Sequence, residues 1–219
     1  MDASQFQKAL HDLAFDLGAR SHRLFSESFT DDWPDEESTT GALFGALVNS
    51  AMAVSRTGLA KSRHGIELRA QLTKKRDEAE HGADVFIKFS CDEPQWQIKT
   101  TTVIQAKKLE PTRSMTSGDH ARLTKQLNKM LAHTTESFLL IYSSTNGIQV
   151  VPAVAVRSLG TRKPFDLDMM SWQWFLSAIF RGRLGEPNSD RLPGKPKIEV
   201  TLVAKAASEE SMAGGMVAG

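Results

Sequence analysis

Three residues have the types and spacing to do chemistry: Asp84, Gln105 and Lys107. Asp84 lies in Gly82-Ala83-Asp84-Val85-Phe86-Ile87, and about twenty residues later comes Val103-Ile104-Gln105-Ala106-Lys107-Lys108. Both runs have the apolar, β-branched character of strands. Alternate side chains of a strand share a face, so Gln105 and Lys107 project together. In the earlier run Asp84, Phe86 and Lys88 take one face and Val85, Ile87 and Phe89 the other. On adjacent strands, the carboxylate of Asp84, the amide of Gln105 and the ammonium of Lys107 can be aimed at one place. Oxygen donors suit a hard cation, and an ammonium beside it can activate water. That chemistry points to phosphodiester hydrolysis.

The elements that must position these groups are legible from periodicity. Phe6, Leu10, Leu13 and Leu17 recur at helical spacing, predicting an N-terminal amphipathic helix that runs to about Phe25. Asp35 is placed to cap a second helix, with Glu36 and Glu37 in its first turn and Leu43, Leu47, Ala51 and Met52 as its buried stripe. Ile66, Leu68, Ala70 and Leu72 alternate with polar residues as in a half-buried strand, and Asp92-Glu93-Pro94 reads as the hairpin turn between the two strands of the site. Ser117 to Asp119 supply capping residues for a helix with an apolar face of Leu123, Leu127, Met130 and Leu131. The unbroken apolar run Phe138 to Tyr142 is expected of a strand covered on both faces. A turn at Thr145-Asn146-Gly147 leads to a strand expected from Ile148 to Val156. Beyond it, Trp172, Phe175, Leu176 and Ile179 predict a late helix, and Ile198 to Val203 a last strand.

A chain of 219 residues suits one sizeable core, so a single domain over 1–203 is expected, with a small, Gly-rich and disordered tail over 204–219. Apolar runs are far below bilayer length, and the N-terminus lacks a basic stretch followed by a hydrophobic segment, so the expectation is a cytoplasmic protein without a membrane partner. A lone cysteine, Cys91, forbids an intramolecular disulfide and a cysteine-based zinc cluster, and reads as a small half-buried thiol. The formal net charge of +1 argues against a histone-like binder held by overall charge. Basic residues do cluster from Arg56 to Arg76, where Lys74, Lys75 and Arg76 precede the candidate site. That stretch reads equally as a phosphate-tracking surface or a solvated charged face. His81, beside Gly82, offers a phosphate contact or an auxiliary base, although a loop histidine ordinarily serves neither role. The six histidines lack the i, i+4 pairing of a helical zinc site, and neither a phosphate-binding glycine loop nor a Gly-x-Ser-x-Gly elbow is present. Trp172 and Trp174 could stack on bases, but their apolar helical setting points to the core.

The order helix, strand, strand, strand, helix, strand, with an aspartate on the second strand and Gln-x-Lys on the third, resembles the PD-(D/E)XK nuclease superfamily. Gln105-Ala106-Lys107 is similar to the Mrr-type branch, in which glutamine replaces the second acid. Glu36-Glu37-Ser38-x-Thr40, Gly82-Ala83-Asp84, Gln105-Ala106-Lys107 and a helix containing Gln126 are together similar to a group of uncharacterised bacterial proteins of this fold. The resemblance spans about 35–156. It implies an α/β, restriction-endonuclease-like three-layer core with a central mixed β-sheet flanked by helices. The implied activity is that of a magnesium-dependent DNA endonuclease, with manganese as a substitute and RNA left open as a substrate, in bacterial antiviral defence or DNA processing.

Carried over, the resemblance makes Asp84 the principal metal ligand, the Gln105 amide oxygen the second and the Ala106 carbonyl a third. Either Glu36 or Glu37, with Glu36 preferred, completes the set. Gln126 reaches the site from the second core helix, and Lys107 sits beside the attacking water. Apart from the resemblance, the basic residues Lys74, Lys75, Arg76 and Lys108 are the candidate nucleic-acid contacts. Because Gln105 carries no charge, the free protein should hold its metal weakly and more tightly once a phosphate joins the coordination. Cutting both strands takes two active sites, which makes a homodimer attractive. Two other readings stand beside the enzyme: a catalytically inactive nucleic-acid- or partner-binding protein on the same scaffold, and an interbacterial nuclease toxin.

Overall fold

The computed structural model describes residues 3–28, 35–55, 65–73, 78, 80–93, 96–187 and 198–204. Within them the chain runs α1 (Ala3–Ser28), α2 (Glu36–Ser55), β1 (Gly65–Leu72), β2 (Val85–Glu93), β3 (Trp96–Lys108), α3 (Ser117–His133), β4 (Ser137–Ser143), β5 (Gly147–Pro152), α4 (Ala153–Leu159), a 3₁₀ turn (Pro164–Asp166), β6 (Met170–Ser171), α5 (Trp172–Phe180), β7 (Glu186–Pro187) and β8 (Ile198–Ala204). The strands form one open sheet of mixed polarity in the order β6-β5-β4-β3-β2-β1-β8, with β7 paired to β3 off this path. β1, β2 and β3 are successive antiparallel neighbours, and α3 carries the chain over to β4, which lies parallel to β3.

Two apolar cores follow from the alternation of side chains along the strands. One face presents Val85, Ile87, Phe89, Ile104, Ala106, Leu140 and Tyr142 to Leu10, Leu17, Phe44, Trp172 and Phe175 of α1, α2 and α5. The other presents Phe86, Val103, Leu139, Ile141 and Val151 to Leu123, Leu127 and Met130 of α3 and to Ala153 and Val156 of α4. The architecture is therefore a mixed α/β sheet with helices on both faces. Seven consecutive buried residues in β4 are the sequence signature of that double cover.

α2 is capped as expected. Asp35 Oδ1 accepts a hydrogen bond from the Ser38 N–H at 2.9 Å, and Asp35 Oδ2 accepts another from Ser38 Oγ at 3.1 Å. The fully buried Tyr142 of β4 donates its hydroxyl to Thr40 Oγ1 at 3.2 Å, which fastens the N-terminal part of α2 to the sheet. Trp172 lies in the core, with its indole N–H on Ser21 Oγ at 2.9 Å, whereas Trp174 is exposed. Cys91 is buried rather than half-buried, inside the α1–α2 core.

Two element boundaries need adjustment. The strand predicted to reach Val156 stops at Pro152, which pairs with Phe138 near the start of β4; no partner continues past it, and 153–159 turn into α4 instead. α3 is capped one residue earlier than expected: Thr116 Oγ1 accepts from the Asp119 N–H at 3.1 Å and donates to Asp119 Oδ2 at 2.6 Å. After residue 156, α5 packs against α1 and its aromatic residues fill the first core. The turn at 94–95, the basic residues Lys74, Lys75 and Arg76, and the tail beyond 204 lie outside the described residues.

Candidate active site

β2 and β3 separate at the point where the candidate residues stand. Their last paired residues are Val85 and Ile104, and one residue earlier the Asp84 N–H donates to the Ile104 carbonyl at 2.9 Å. On the opposite side Thr73, just past β1, donates its N–H to the Asp84 carbonyl at 2.9 Å and its hydroxyl to the Ala83 carbonyl at 2.6 Å. The Asp84 main chain is thus held from both neighbours. Its side chain turns toward β3, where Oδ2 accepts from Gln105 Nε2 at 2.5 Å and from the Ala106 N–H at 2.7 Å. The carboxylate takes over where the β2 ladder ends.

Gln105 is 1% exposed and its Nε2 also reaches the Ala106 carbonyl at 3.2 Å, yet its Oε1 is buried without a hydrogen-bond partner. A buried amide oxygen in that condition is costly unless something electropositive meets it. Rotating the amide by half a turn would present Oε1 to a cation at Asp84, in exchange for the two hydrogen bonds that Nε2 now donates to Asp84 Oδ2 and the Ala106 carbonyl. A carboxylate, an amide oxygen and a main-chain carbonyl within one such cluster form a hard-oxygen donor set that fits magnesium or manganese.

Asp84 and Lys107 border one cavity of about 830 Å³, shared with Glu37 from α2, Glu78 from the helical turn before Gly82, and Lys108, Arg113 and Arg122. The sheet geometry therefore brings Asp84, Gln105 and Lys107 together as their spacing predicts. Of the two α2 acids, Glu37 reaches this cavity; the side chain of Glu36 lies outside the described residues. Gln126 does not bond to Asp84. Its Nε2 donates to Glu78 Oε1 at 3.1 Å, and its Oε1 is a second buried oxygen without a partner. Glu78 escaped sequence reasoning, although its position one helical turn ahead of the positive-φ Gly82 was a usable signal. Among the described residues, six carboxylates (Asp35, Glu37, Glu78, Asp84, Glu110, Asp119) and four cations (Lys107, Lys108, Arg113, Arg122) line the wall.

The loop after Lys108 that carries Arg113 is fastened at both ends. Burial alone would raise the Glu110 carboxyl, but hydrogen bonds from the Ser144 N–H at 2.8 Å, Ser143 Oγ at 2.9 Å and Thr145 Oγ1 at 3.3 Å outweigh it and hold Glu110 below its ordinary value. At the other end the Met115 N–H donates to the Arg162 carbonyl at 2.9 Å, and Arg162 Nε returns a bond to the Met115 carbonyl at 3.0 Å.

Among the described residues no group of three or more His, Cys, Asp or Glu has the arrangement of a metal site, and no helix is long and apolar enough to cross a membrane. The chain matches no family model, and no curated protein matches it.

Proposed function

We propose that the chain is a magnesium-dependent endonuclease that hydrolyses phosphodiester bonds in DNA, on a scaffold of the restriction-endonuclease type. The element order α2-β1-β2-β3-α3-β4 supports the scaffold. The observation that carries the activity is the cluster at the split between β2 and β3: Asp84 bonded to Gln105, the orphaned Gln105 oxygen, and Lys107 on the same cavity.

Asp84, Gln105 Oε1 and the Ala106 carbonyl would hold the ion, with Glu37 the α2 acid on the same cavity. When bound, magnesium supplies Lewis acidity, which makes water nucleophilic near neutral pH and offsets charge on the phosphate. Lys107 orients that water and takes up or returns a proton at its Nζ. Arg113, Arg122 and Lys108 hold the flanking phosphates in line.

The test is nicking of supercoiled plasmid in magnesium by the wild type, Asp84→Asn and Lys107→Ala. A loss of about 10²–10⁴-fold is expected for Lys107→Ala, the range of a positioned acid-base group. Equal nicking by all three would end the proposal. A second reading, binding without catalysis, is favoured by one observation: the Gln105 amide already satisfies Asp84 Oδ2 without a cation. Retention of DNA without cleavage would select it.

A further inference from the structure

We propose that His81 and His133 form a second metal site, for a borderline divalent cation such as zinc, separate from the Asp84 cavity. His81 ends the helical turn before Gly82, and His133 is the last residue of α3. His81 Nδ1 and His133 Nε2 face one another at 3.2 Å. Two imidazole nitrogens bound to one tetrahedral zinc, each at about 2.0–2.1 Å, stand roughly 3.3 Å apart. The rings are tilted by 61° and meet edge to face rather than stacked.

The site takes the His81 tautomer with its proton on Nε2, the nitrogen on the far side of the ring, 3.9 Å from Glu80 Oε1. His81 Nδ1 is then the unprotonated nitrogen. Without metal, His133 donates its Nε2–H into that lone pair. A cation takes the place of this hydrogen, and the His133 proton moves to Nδ1 through solvent, so two neutral imidazoles bind with no net proton release. A carboxylate behind a ligating imidazole is the usual outer partner of such a site. His81 is buried and His133 exposed, which gives the ion a dry anchor and an open approach. Among the described residues no third His, Cys, Asp or Glu completes a group of three. Nitrogen donors select zinc over magnesium, and the oxygen donors at Asp84 do the reverse. A bound zinc would tie the end of α3 to the turn that leads into Asp84.

Isothermal titration of the full chain with zinc chloride tests this in the presence of excess magnesium. One equivalent should bind to the wild type and to Asp84→Asn alike. His133→Ala, at an exposed position, should lose it, and Glu80→Gln should bind roughly 10-fold more weakly. Absence of binding to the wild type at millimolar zinc, or unchanged binding to His133→Ala, would overturn the site. Neither outcome depends on nuclease activity.

Discussion

Gly82 lies directly against the main chain of Gln126: a Cβ at residue 82 would stand 2.3 Å from the Gln126 carbonyl oxygen, and the residue has φ +75°. The turn before Asp84 and the middle of α3 are therefore in backbone contact. Gly82→Ala should destabilise the fold by at least about 1–3 kcal/mol from its left-handed backbone alone, with the contact adding to it. Gly118→Ala, where the nearest atom is Thr116 Oγ1 at 4.0 Å, should stay within about 0.5 kcal/mol of the wild type. Urea unfolding of both variants measures the difference, and equal midpoints would refute the contact.

Gln105→Glu should make stability depend on magnesium. A carboxylate in place of the amide would face Asp84 Oδ2, now 2.5 Å from Gln105 Nε2, and two like charges at such a distance repel. In chelator the variant should melt below the wild type; in magnesium it should recover more than the wild type gains. Melting curves that ignore magnesium in both proteins would argue against a cation at this place.

The cavity cations should dominate the salt dependence of DNA binding. Replacing Lys108, Arg113 and Arg122 by alanine in the Lys107→Ala background should flatten the slope of log K against log salt by about 0.9 for each phosphate that is no longer neutralised. The same measurement on Lys74, Lys75 and Arg76 asks whether those residues share the role. A slope unmoved by the first triple change would remove the cavity from the binding surface.

His22 should confer acid sensitivity. Burial lowers its pKa, and its ring fits so closely that a Cβ on Gly147, at φ +66°, would come within 2.3 Å of His22 Nε2. The fold holds the neutral imidazole, so the unfolded chain takes up the proton first. Its contribution is complete above the ordinary value of 6.5 and is lost as pH falls from there through the folded-state value. His22→Gln should show a flatter decline between pH 7 and pH 5 in urea midpoints; parallel curves would place the sensitivity elsewhere.

Period-two alternation made the core of the site readable. It put Gln105 and Lys107 on one face and Asp84 with Phe86 on the facing strand, and the structure keeps that arrangement. Helical spacing likewise revealed α1, α2 and α5. What stayed hidden depends on tertiary contact. Glu78 and Gln126 are 48 residues apart and His81 and His133 are 52 apart, so no local pattern joins them. The end of β5 was missed for a related reason: Val154 and Val156 have strand propensity, but a strand needs a neighbour, and β4 begins at Ser137.

Asp84 finishes a ladder through its Oδ2 and also borders the cavity. Any guest that draws on this carboxylate must also tug at the peptide nitrogen of residue 106, so occupancy and strand cohesion are coupled through a single proton. Deuterium uptake at that one amide becomes an internal gauge of the site, legible before any product is formed.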